Sequence, residues 1–211
     1  MRRTQRPLAA LFFFAAAYVP SNLAHAQSAA AAPSASAPTS SGVAAPACRC
    51  AENPLERNGA RVGIGLDLGG AILGGRGGAS DGAFHVGASL RFGGAFTDRF
   101  HLLGEFTLGG LLGGPTTSFY GALDVQAQGF IGPNFYLRGG VGVAELVGFQ
   151  GGSFYYTLPG PRLVGAIGYE VYRVGERSFA IEANTSYAFL NGGAQYNSLF
   201  LASVGAHFEF Y

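Results

Sequence analysis

Eight stretches of the chain place apolar side chains at every second position, and no stretch after the first 26 residues is apolar for long enough to cross a bilayer as a helix. A period of two puts successive side chains on opposite faces of a strand, so each stretch has one apolar and one polar face. The first sets Val62, Ile64, Leu66 and Leu68 against Arg61, Gly63, Gly65 and Asp67; the second sets Phe84, Val86, Leu90 and Phe92 against His85, Ser89 and Arg91. Phe100, Leu102, Phe106 and Leu108 oppose His101, Glu105 and Thr107, and Phe119, Leu123 and Val125 oppose Tyr120, Asp124, Gln126 and Gln128. The second half repeats the scheme. Phe135, Leu137, Val141 and Val143 oppose Tyr136 and Arg138, while Leu163, Ile167 and Tyr169 oppose Arg162 and Glu170. Phe179, Ile181, Ala183 and Tyr187 oppose Ser178, Glu182, Asn184 and Ser186, and Phe200, Val204, Phe208 and Phe210 oppose Ser203, His207 and Glu209. Stretches of about ten residues with this alternation predict an all-β fold, an eight-stranded antiparallel up-and-down transmembrane β-barrel.

A soluble lipocalin-type barrel shows the same period with its apolar face inward. Three features favour the membrane reading. Charged residues make up only 12% of the chain, with 35 glycines and 18 phenylalanines, against about 25% charge in an ordinary soluble domain. The connections are expected to alternate, short at Gly93 to Arg99, Gly132 to Asn134 and Arg173 to Arg177, longer at Gly74 to Gly82, Gly109 to Ser118, Glu145 to Gly160 and Leu190 to Asn197. Aromatics of the apolar face concentrate toward strand ends, where interfacial girdles sit.

The N-terminus divides differently. Arg2, Arg3 and Arg6 precede an apolar run from Leu8 to Ala17 and the small residues of Ala24-His25-Ala26, which reads as a secretory signal peptide over 1–26. Residues 27–59 open with Ala, Ser and Pro and read as a flexible periplasmic linker. Cys48 and Cys50 in it either pair in a local disulfide or stand as two oxidisable thiols. The barrel is expected over 60–211.

The polar faces carry the ionisable groups. Arg61, Arg91, Arg138 and Arg162 stand against Asp67, Glu105, Asp124, Glu170, Glu182 and Glu209, joined by His85, His101 and His207. An eight-stranded barrel is just wide enough for side chains to fill it, and charges withdrawn from water must pair. A charged network plugging the lumen is therefore expected, with a narrow ion or solute path as the alternative. No metal site and no cofactor are expected, since the histidines fall one per strand without a coordination pattern.

Catalytic motifs are sparse. There is no G-x-S-x-G elbow, and Ser89, four residues from His85 on the same face, is about 13 Å away. A lipid-modifying enzyme is accordingly the weakest of the three readings. Gly74-Gly75-Arg76-Gly77-Gly78 enters no helix and reads as an outer loop, and the scattered basic residues give no nucleic-acid footprint. Phe149, Phe154, Tyr155 and Tyr156 flank Gly151-Gly152 at a predicted hairpin tip. They could contact a surface ligand, form the upper girdle or pack across the barrel mouth.

In strand number, loop pattern and the aromatic ending Ala206-His207-Phe208-Glu209-Phe210-Tyr211, residues 60–211 resemble the small outer-membrane barrels of the OmpX group and the N-terminal barrel of OmpA. The resemblance implies the outer membrane of a Gram-negative bacterium, contact with outer-membrane lipids and lipopolysaccharide, and recognition of the last strand by the barrel-assembly machinery. Tyr211 departs from the pattern, being out of phase with Phe208 and Phe210.

Overall fold

The computed structural model describes residue 57 and residues 59–211, apart from 76, 114–116, 151 and 192–195. The signal peptide, most of the linker, Cys48 and Cys50 lie outside the described residues. Nine strands follow in order: β1 (Gly59–Gly75), β2 (Ser80–Thr97), β3 (Phe100–Leu112), β4 (Thr117–Phe130), β5 (Phe135–Gln150), β6 (Ser153–Tyr156), β7 (Gly160–Val174), β8 (Arg177–Phe189) and β9 (Tyr196–Phe210). Every pairing is antiparallel, consecutive strands pair except that β7 skips β6 to pair β5, and β1 pairs β9 from Val62 with Phe210 to Gly75 with Tyr196, which closes the barrel.

The wall has eight staves. β6 and β7 both pair with the same edge of β5, at Val147 to Gln150 and Phe135 to Ala144 respectively. Between them the Thr157 hydroxyl accepts the Leu146 amide at 2.9 Å while the Thr157 amide donates to the Leu146 carbonyl at 2.8 Å. One stave is thus interrupted just before Pro159 and Pro161, whose nitrogens cannot donate to a ladder.

The alternation resolves with its polar face inward. Ile64, Leu66, Leu123, Val125, Val141, Leu163, Ile167 and Val204 are exposed around the wall, and aromatics crowd both ends of this apolar band. Phe92, Phe100, Phe135, Tyr169 and Phe210 stand at the end where the described chain enters and leaves, the proximal end. Phe84, Phe119, Tyr187, Phe189 and Phe200 stand at the distal end. Along β2 from Phe92 to Phe84 the path is about 26 Å at a rise of about 3.3 Å per residue, which at a strand tilt of about 40° makes a band about 20 Å tall. A continuous apolar wall of this height between aromatic belts is stable only in lipid.

The expected contrast in loop length is clearest between β5 and β7, whose pairing ends at Ala144 with Gly160, and is small elsewhere. Proximal turns occupy 98–99, 131–134 and 175–176, and Gly175, at φ +58°, sets the last of them. The other distal connections lie at 76–79, 113–116 and 190–195, and 151–152 forms only the tip of the β5–β6 hairpin. The strands run on through glycine-rich ends that read as loop: Gly74 and Gly75 belong to β1, and Gly109 and Gly110 to β3. Gly109 has a packing reason to be in a strand, because a Cβ there would lie 2.2 Å from the ring of Tyr120, its cross-strand partner. Gly168 makes the same space for Tyr136, with 2.2 Å to that ring.

Candidate functional site

The lumen is the only part of the described chain where ionisable groups converge, and alternation alone decides which side chains enter it. All thirteen ionisable residues expected on the polar faces point inward and are buried: Arg61, Asp67, His85, Arg91, His101, Glu105, Asp124, Arg138, Arg162, Glu170, Glu182, His207 and Glu209. They form one central cluster and several smaller groups.

The central cluster spans five strands. Arg91 of β2 donates to Glu105 of β3 at 2.5 Å, to both carboxylate oxygens of Glu182 of β8 at 2.7 and 2.6 Å, and to Glu209 of β9 at 3.3 Å. Arg138 of β5 reaches Glu182 at 2.7 Å, Glu105 at 3.2 Å and the Asn184 amide oxygen at 3.1 Å. Glu182, fully buried, thus bridges two guanidiniums and also accepts the Tyr136 hydroxyl. His207 Nε2 lies 3.2 Å from Glu182 and 3.6 Å from Asp67. Bidentate guanidinium–carboxylate geometry of this kind offsets the cost of burying charge far better than a single contact does.

Distal to the cluster, Arg162 pairs with Asp124 at 2.8 Å and donates to the Ser186 hydroxyl at 3.1 Å. Asp67 accepts from Asn184 at 2.8 Å. His85 Nε2 and the Tyr120 hydroxyl share a bond of 2.7 Å, so this histidine is engaged by a tyrosine and not by Ser89. Among the described residues no histidine is hydrogen-bonded to a serine. A polar cavity of about 20 Å³ remains here, lined by Asp67, His85, Thr107, Tyr120, Arg162 and Ser203 among others.

Beyond that level the lumen changes character. Leu73, Leu111, Leu146, Leu190, Leu199 and Tyr196 are buried together across the distal mouth, with Ala71, Ala122, Ala144 and Ala188 beneath them. Sequence reasoning missed this apolar layer. In Ala71-Ile72-Leu73 and Leu111-Leu112 both faces of the strand are apolar, so alternation is silent there. Of the four hairpin aromatics, Phe149, Phe154 and Tyr156 are exposed on the outer rim, with Phe149 and Phe154 edge to face at 5.3 Å. Tyr155 turns the other way. Its hydroxyl meets Ser118 at 2.5 Å and its ring lies 6.0 Å from Tyr196, adding to the distal layer.

The proximal mouth holds two further residues absent from the expected set. Arg57, ahead of β1, is 2% exposed, and its guanidinium lies 3.7 Å over the Phe130 ring. Tyr211, beyond the end of β9, folds inward toward His101 and Arg61, which accounts for its phase. Arg61 contacts Glu209 and donates to His101 Nδ1 at 2.6 Å. Burial, opposed by Arg61 and reinforced by Glu170, holds the Tyr211 phenol above its ordinary range.

Fold and lumen together define a closed eight-stranded membrane β-barrel with a filled interior. Among solved structures the chain is similar to Neisserial surface protein A, NspA, at 14% identity and a TM-score of 0.55, covering 72% of this chain and 98% of that one. It is also similar to Ail, the attachment invasion locus protein of Yersinia pestis, at 16% identity and a TM-score of 0.50, covering 73% and 99%. These likenesses are of fold. No protein-family model matches the chain, and no curated protein matches it in sequence.

Proposed function

We propose that the protein is a sealed outer-membrane barrel of a Gram-negative bacterium with a structural or surface-contact role and no catalytic one. The observation that carries the seal is its double construction. A guanidinium–carboxylate cluster crosses the lumen from β2, β3, β5, β8 and β9, and a leucine layer closes the distal mouth. Water or an ion would have to break buried ion pairs and then wet an apolar constriction.

The surface-contact part rests on Phe149, Phe154 and Tyr156, which are 54, 59 and 57% exposed on the hairpin that rises beyond the pairing of β5 with β7. With the proximal end in the periplasm, where the linker would lie, this hairpin faces outward among outer-leaflet lipid and lipopolysaccharide. Ail bears attachment and invasion in its name, and contact through exposed rim aromatics is the corresponding reading here. The C-terminal strand, with Phe208 and Phe210 outward, offers the assembly machinery its aromatic face.

A narrow channel is the second reading, and the polar cavity of about 20 Å³ above the ion pairs favours it. That space suits about one water and is not a path. Flux assays separate the two: liposomes loaded with native barrel should retain a small sugar and sodium as empty liposomes do, whereas release scaling with protein content would refute the seal. For the surface role, cells expressing Phe149→Ser/Phe154→Ser/Tyr156→Ser should assemble as much barrel as cells with the native chain but show weaker surface attachment or envelope resistance. Equal phenotypes would reject the rim as the working surface.

A further inference from the structure

Arg57 does not belong to the barrel wall, yet it is among the most deeply buried side chains of the described chain. β1 begins at Gly59, and the side chain two residues earlier reaches back under the proximal mouth. One terminal nitrogen donates to Glu170 Oε2 of β7 at 2.7 Å and to the carbonyl of Pro133 in the β4–β5 turn. The other lies 3.5 Å from the Asp98 carbonyl in the β2–β3 turn. The guanidinium plane rests on Phe130, which is itself packed on His101 and Tyr136 with ring centroids 5.2 Å apart in each case. A carboxylate, two carbonyls and an aromatic face make a set of acceptors that suits a planar delocalised cation and not an ammonium.

The same carboxylate is held from the other end of the chain. The Tyr211 hydroxyl donates to Glu170 Oε1 at 2.7 Å, and the Tyr211 amide donates to the Glu176 carbonyl at 2.8 Å. Glu170 is fixed in turn by its own amide, bonded to the Asn134 carbonyl at 2.8 Å. One oxygen of a single side chain therefore faces the entry of the barrel chain and the other faces its exit. The β1–β9 seam ends at Val62 and Phe210, so these contacts lie just past the last ladder pair, where closure of the wall has no further backbone bonds to hold it.

We propose that the proximal mouth is a guanidinium-binding site built for the chain's own Arg57, and that Glu170 clasps both ends of the barrel chain through Arg57 and Tyr211. The clasp closes the proximal mouth and fixes the point from which the N-terminal segment departs. It stands whether or not the lumen conducts.

The test is NMR of the full mature chain refolded in micelles, with Arg57 observed directly. In the native protein the residue 57 backbone should have an order parameter near 0.85, like the strands, and its side-chain protons should be shifted upfield by the Phe130 ring. Glu170→Gln should drop the order parameter below about 0.6 and return those protons to unstructured values. Tyr211→Phe, which removes one hydroxyl, should broaden the Arg57 signals without releasing it. If Glu170→Gln does not fold, Phe130→Leu provides the same reading, since loss of the aromatic face should loosen Arg57 while the barrel keeps its heat-modifiable mobility. A native Arg57 as mobile as a disordered segment, or one that stays rigid in a folded Glu170→Gln barrel, overturns the proposal.

Discussion

Arg91 shows what a single residue does in this lumen. It is fully buried and touches three carboxylates on three strands, so removing it leaves Glu105, Glu182 and Glu209 short of a countercharge. Breaking a buried pair from one side costs about 3–5 kcal/mol. Arg91→Met should lower the urea unfolding free energy of the vesicle-inserted barrel by about that amount, and a loss within experimental error would mean the cluster is solvated. Tyr211 gives the pH-dependent case. Its phenol is held above the ordinary range chiefly by burial, so the stability it contributes is intact below about pH 10 and lost as pH rises through the folded-state value. Arg61, Arg173, Glu170 and His101 surround it. Melting of the native barrel should fall more steeply as pH rises above about 10 than melting of Tyr211→Phe, and superimposable profiles would contradict it. The inward ionisable residues were legible because each sits in phase with apolar neighbours. Arg57 was not, since it precedes any alternation and its burial depends on turns far away in sequence, at Asp98 and Pro133.

At the level of the strand, period two carried nearly all the information about which side chain faces where. It failed at two kinds of place. At the distal ends, Gly74-Gly75 and Gly109-Gly110 carry turn-like composition yet remain in strands, and at Gly109 the ring of Tyr120 fills the space a Cβ would need. At the Glu170–Tyr172 bulge, Val171 and Tyr172 both face outward, which no strict alternation anticipates. The outward face itself yields a depth-dependent prediction. Val141, at the middle of β5 and 60% exposed, should meet hydrocarbon. Val141→Arg should therefore cost about 2–4 kcal/mol in bilayer vesicles. A negligible cost there would mean that the wall faces water and that the apolar belt is not a membrane surface.

At the largest scale the described barrel is a closed wall with three stacked fillings: the Glu170 clasp at the proximal mouth, the ion-pair cluster around Arg91 and Glu182, and the leucine layer at the distal mouth. Each draws on several strands, and β3, β5 and β9 contribute both to the ion-pair cluster and to the leucine layer. The β5–β6 hairpin, with Phe149, Phe154 and Tyr156 exposed, is the most prominent described feature beyond the belt. The most direct measurement of the central claim is single-channel conductance of the refolded, heat-modifiable barrel in a planar bilayer, native beside Arg138→Ala. A sealed lumen predicts a silent native protein at neutral pH, and silence in Arg138→Ala as well, because the leucine layer remains. Discrete conductance steps from the native barrel, altered in size or selectivity by Arg138→Ala, would show that the charged interior is a transport path and contradict the account.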